Sequence, residues 1–142
     1  MDDRHQFAAL VLASQFGVVS KSEVIAKADQ RIMDVDKPEY WLIELASDGY
    51  SSELGSLINS ADDSVFGEAL RMVFQAWIGG NISDERFVAS CSTLWKKAGY
   101  QSRWYTDLCW IVDEFDLVAD GVFRREDSVK KVRASVEKLL ER

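Results

Sequence analysis

Histidine, proline and cysteine are scarce in this chain of 142 residues, and each scarcity excludes some chemistry. His5 is the only histidine, so a histidine-based triad would have to use it. It stands in the first turn of an N-terminal helix with no motif around it, where a surface or capping role is expected. Cys91 and Cys109 are the only thiols. They belong to no CxxC or Cys/His ligand spacing and each lies in an apolar helical pattern, which predicts buried thiols in a reducing compartment. A reactive thiolate needs a positive neighbour and access, and Cys91, between Ser90 and Ser92 on an inward face, is expected to have neither. No GxSxG, GxxxxGK[ST], GxGxxG or HExxH pattern occurs, which removes the common nucleophile-elbow, phosphate-loop, dinucleotide and zinc-protease readings. The apolar segment 7–19 follows Asp2 and Asp3, is interrupted by Gln15, lacks a small-residue cleavage site and is too short to span a bilayer. A soluble cytoplasmic protein is expected.

Positive charge is also in deficit. The formal charge is −7, with 24 acids against 17 bases, so the surface repels phosphate backbones and anionic membranes and neither is an expected partner. The deficit is uneven: residues 1–121 hold twenty acids and ten bases, and 122–142 hold four acids and seven bases. A basic C-terminal helix over about 124–141, docked on an acidic body, is the favoured reading. The alternative is that the acidic face stays free for a basic partner.

What is abundant is apolar side chain at helical spacing. Hydrophobic residues make up 47% and aromatics 11%, enough for one core in a single domain spanning 1–142. No alternating strand of useful length appears, and the pattern predicts an all-α fold, a compact bundle of seven or eight short helices, mostly antiparallel neighbours. Gly17 closes a first helix over about 3–16, and Ser20 with Glu23 forms a capping box for a second whose stripe is Val24, Ile25, Ala28 and Ile32. Pro38 fits the first turn of a third helix over about 38–47, ended at Asp48-Gly49. A fourth covers 52–59 despite Gly55, and a fifth, capped by Asp62 or Asp63, covers about 64–78. A sixth starts at Asn81 or Ser83 and ends before Gly99, and an eighth covers about 124–141. The echo between Gly49-Tyr50-Ser51-Ser52 and Gly99-Tyr100-Gln101-Ser102 is either a duplicated unit or, as favoured here, recurrent helix-junction chemistry.

The seventh helix, WYTDLCWIVDEFDLVAD at 104–120, is capped by Gln101 or Ser102 and combines the heaviest apolar run with a block of acids. Trp104, Leu108, Ile111, Val112, Phe115 and Val118 share an inward face. Trp110 and Leu117 fall at about 220 to 240° from Trp104, among Asp113 and Glu114. No Lys or Arg occurs between Arg103 and Arg124. Asp113, Asp116 and Asp120 share a face while Glu114 points elsewhere, so a single cation site is not expected and neither metal nor cofactor is assigned. Two readings remain for Trp110 and Leu117. They are the second apolar side of a central helix, or with Asp113 and Glu114 they form a surface for a basic protein. Tyr40 and Trp41, in a helix with Glu39, Glu44 and Asp48, are a second such candidate, because rings supply contact area and carboxylates supply steering.

The pattern Ser20, Glu23, Ile25, Ala28, Asp29 and Ile32, followed by Pro38 and Leu42-Ile43-Glu44-Leu45-Ala46, resembles a two-helix unit in small all-helical bacterial proteins of unassigned function. Some of these look like the immunity partners of bacterial toxins. The resemblance carries no site residues with it. Its implication is a non-enzymatic protein that masks a basic toxin surface. The alternatives are a helical adaptor or self-associating module and, behind both, a carboxylate-dependent enzyme.

Overall fold

A computed structural model describes residues 2–141, and among them the chain is all-α, with eight helices and no strand. The chain divides into two compact units, 1–69 and 70–142, with α5 (Asp63–Ile78) running across the boundary.

In the first unit, α1 (Asp3–Gln15) packs against α2 (Lys21–Asp34) and α4 (Ser52–Asn59), and α3 (Tyr40–Asp48) packs against α2 and α4. Six consecutive residues of α1, Ala8 to Ala13, are buried. The helix is therefore covered all round, where the sequence showed mainly a stripe; Ala8, Ala9 and Ala13 let neighbours approach closely. Ser20 caps α2 as its capping box predicts, its hydroxyl accepting from the Glu23 amide at 3.1 Å. α3 starts later than the proline suggested. Pro38 lies before the cap, Glu39 is the extended N-cap residue, and its carboxylate accepts from the Trp41 indole N–H at 2.8 Å. Gly55, the weak point of α4 on propensity, is buried, and a Cβ there would run into the Tyr50 hydroxyl. Glycine at 55 makes room for that ring.

The second unit is centred on aromatic packing between α5, α6 (Asp84–Ala98) and α7 (Tyr105–Ala119). Trp77 stacks on Phe87 with centroids 4.0 Å apart, and Phe115 meets both edge-on at 6.5 and 6.3 Å. Each such pair contributes roughly 0.5–1.5 kcal/mol beyond its area burial. Ser83 caps α6, with its hydroxyl accepting from the Arg86 amide. Neither Gln101 nor Ser102 is the N-cap of α7; Trp104 is, and the Ser102 hydroxyl accepts the Trp104 amide at 3.2 Å to close the preceding turn. α8 (Arg125–Leu140) packs on α7 and buries Ser128, Val132, Val136 and Leu139, with Val129 and Leu140 only half-buried. Arg71 donates to the Leu140 carbonyl at 2.9 Å and Arg133 to the Ile78 carbonyl at 3.1 Å, so free carbonyls at two helix C-termini are satisfied.

The two Gly-Tyr junctions differ in backbone: Gly49 is left-handed (φ 70°, ψ 13°), whereas Gly99 is extended in ψ (φ 74°, ψ 172°). They also fall at different junctions within their units, α3–α4 in one and α6–α7 in the other. The echo is therefore one of sequence, not of a repeated cap geometry: Ser51 caps α4, whereas Ser102 does not cap α7.

Candidate binding face on α7

α7 buries Leu108, Ile111, Val112 and Phe115, with Trp104 just before it, as the helical period requires. On the opposite side Trp110 is 40% exposed, Asp113 is exposed and Leu117 half-buried. Residues three and seven apart on a helix share a face, so these three form one strip. Asp116 and Asp120 are exposed beside it.

Glu114 does not belong to that strip. It is buried at 5% exposure, and its Oε1 accepts from Lys131 Nζ at 3.0 Å. The reason is tertiary: α8 covers this flank of α7 and brings a cation from seventeen residues downstream. A carboxylate taken out of water is tolerable only when paired in this way.

The α3 candidates are also rearranged. Tyr40 is 75% exposed. Glu39, though exposed, is engaged with the Trp41 indole, and half-buried Glu44 accepts the Ser52 amide at 3.0 Å, at the start of α4. Glu39 is thus engaged within α3 itself, and Glu44 ties α3 to α4. Tyr40 lies in the first unit, and Trp110, Asp113 and Leu117 in the second.

His5 Nδ1 lies 2.6 Å from Asp2 Oδ1 and its Nε2 lies 3.5 Å from Asp62 Oδ2. Asp2 and Asp62 are N-terminal capping acids of α1 and α5. The Asp2 hydrogen bond, followed by the attraction of both carboxylates, raises the His5 pKa above 6.5. Burial pushes the Cys91 thiol far up. Desolvation raises that of Cys109 too, reinforced by Asp113, whose Oδ2 is 3.7 Å from the sulfur. Neither is an activated nucleophile near neutrality. Among the described residues no group of three or more His, Cys, Asp or Glu side chains converges as a metal site, and no helix is long and apolar enough to cross a membrane.

One feature of the second unit escaped the sequence. A groove of about 460 Å³ runs between α6 and α7. Val88 and Ala89 line one wall, Val112, Phe115 and Ala119 the other. Asp84, Glu85 and Asp116 stand at its edge with Arg125, the first residue of α8. On α6 the lining residues 84, 85, 88, 89 and 92 recur every four, a stripe whose side chains at 88, 89 and 92 are too small to fill the space. That small-residue stripe beside acids was the available signal.

Compared with protein-family models, curated proteins and solved structures, the chain matches none.

Proposed function

We propose that this chain is a protein-binding protein that engages a basic partner through the outer face of α7. The observation that carries the reading is Trp110, 40% exposed on a helix whose outward side holds Asp113, Asp116 and Asp120 and no cation. An exposed tryptophan supplies contact area at low entropic cost, and the carboxylates supply steering and orientation. Set beside the resemblance of residues 20–46 to small all-helical bacterial proteins of unassigned function, some of them immunity-like, this makes a cytoplasmic bacterial immunity or inhibitor protein masking a basic toxin surface the leading case.

The test is parallel affinity capture with the wild type, Trp110→Ala and Asp113→Lys at low and high salt. A basic protein retained by the wild type at low salt and lost by both variants supports the reading. A partner held equally by all three, or indifferent to salt, removes it.

A second reading, a self-associating or adaptor module, is favoured by the first unit. There Met33 on α2 is 80% exposed, and Tyr40 and Ile43 on the adjoining α3 are 75% and 44% exposed. Light scattering behind size exclusion decides it: a monomer at high concentration removes self-association.

A further inference from the structure

The groove between α6 and α7 already holds a cation of the chain's own, and that contact says what else fits there. Arg125 Nη2 lies 2.5 Å from Glu85 Oε1, and its Nε lies 3.4 Å from Asp84 Oδ2. The guanidinium side chain is half exposed, at 51%, so the pair sits at the mouth of the groove. Asp84 is anchored from behind, its Oδ1 accepting from the Trp77 indole N–H at 2.8 Å. The Glu85 carboxyl is held below its ordinary pKa, first by its own backbone amide at the start of α6 and then by Arg125. Across the groove Asp116 is exposed on α7. Three acids therefore face one base around an apolar floor.

The geometry points to this groove as the anchoring site for a basic segment of a partner protein, one that places an apolar side chain on Val88 and Ala89 and an arginine or lysine against Asp84, Glu85 and Asp116. Arg125 is the resident competitor for those carboxylates. The charge match selects the occupant: an acidic segment would meet three carboxylates, and a neutral apolar one would leave them without a new counter-charge. The inference rests on the reading of the chain as a binder of basic proteins, and it moves the anchor from Trp110 to the other side of α7, where Val112, Phe115 and Asp116 line the groove.

An exposed ion pair is worth little by itself, so its intramolecular loss is cheap and a partner can replace it. Arg125→Ala then frees two carboxylates and is expected to tighten binding by roughly two- to fivefold. Ala89→Trp fills the groove and is expected to abolish binding.

The probe is a synthetic amphipathic peptide of leucine and arginine, compared with its glutamate counterpart and a scrambled sequence. Affinity is read by fluorescence anisotropy and location by methyl chemical shifts of the wild-type protein, which need no variant to fold. Saturable binding of the arginine peptide alone, shifts at Val88 and Val112, and tightening in Arg125→Ala are the expected results. Absence of binding, shifts confined to the Trp110 and Leu117 side, or an unchanged affinity in a folded Arg125→Ala protein overturn the groove assignment. Binding that falls in Trp110→Ala but not in Ala89→Trp overturns the groove while leaving the α7-face reading standing. Equal binding of the glutamate peptide sinks both.

Discussion

Lys131 on α8 reaches Glu114 on α7, with Nζ 3.0 Å from Oε1, and its ammonium also lies 4.7 Å from the centroid of the Phe123 ring. The pair joins a buried carboxylate to a half-exposed cation, at 5% and 54% side-chain exposure. Glu114 Oε2 is buried with no hydrogen-bond partner among the described residues, so the carboxylate is only half satisfied.

This asymmetry predicts the order of mutational effects. Lys131→Ala strands the buried carboxylate and should cost about 1–3 kcal/mol in urea denaturation, the penalty of leaving a desolvated acceptor unpaired. Glu114→Leu removes the charge together with its unsatisfied oxygen and should be near neutral or stabilising. A double-mutant cycle checks the account: Lys131→Ala should cost far less in the Glu114→Leu background.

The His5 cluster predicts how stability depends on pH. His5 has a folded pKa raised above 6.5, so its contribution is fully present below the unfolded value and is lost as pH rises through the folded one. Asp2 has a lowered pKa, first through the His5 amide and then through the His5 ring, so its contribution is present above the ordinary carboxylate range and is lost as pH falls. Stability should therefore peak between the acid limb and the raised His5 pKa. His5→Gln should remove the loss on the alkaline side. Thermal melts across pH 2 to 9, a window of about seven units that reaches below the ordinary carboxylate range, would show the acid limb and whether the two profiles diverge above pH 6.5.

Gly55 offers a test of packing against propensity. Alanine in a helix interior is favoured over glycine by about 1 kcal/mol. Here the added Cβ meets the Tyr50 hydroxyl, so the ring must swing away and the gain should be mostly cancelled. In a Tyr50→Ala background the obstacle is gone, and Gly55→Ala should then recover stabilisation approaching the full propensity value. Equal effects in the two backgrounds would show that Tyr50 does not govern this position.

The parts of this molecule legible in its sequence are those decided within one helix. Ser20 caps where its spacing says, and Asp62 and Ser83 are the members of their two candidate pairs that do so, because a side chain and an amide three residues on are all that a cap requires. The inward stripe of α7 is legible for the same reason. What arrives from elsewhere in the chain is not. Glu114 looked like a member of an outward acidic row because Lys131 is invisible until α8 folds back. Glu44 looked like a steering residue because its partner, the Ser52 amide, is fixed by the approach of α4, whereas the Glu39–Trp41 contact is local to the start of α3 and has no signature in the apolar period. The burial of α1 on all sides was hidden by Ala8, Ala9 and Ala13, since alanine suits core and surface alike. The groove needed two helices to be set side by side.

Cys109 gives an internal reporter for the α7 face. It is half-buried one helical turn before Asp113, with its sulfur 3.7 Å from that carboxylate, whereas Cys91 is fully buried. Both thiols are shifted upward, Cys109 by partial desolvation and Asp113, Cys91 by complete burial. A thiol reagent at neutral pH should therefore titrate one cysteine slowly in the native protein and the second only after denaturant is added. Asp113→Asn removes the repelling charge and should speed the first reaction without altering the second. A basic partner seated on Asp113 and Trp110 covers the same sulfur and should slow its labelling, with Cys91 serving as a silent control. If labelling at Cys109 stays unchanged in the presence of a partner bound at saturation, that partner does not occupy this face.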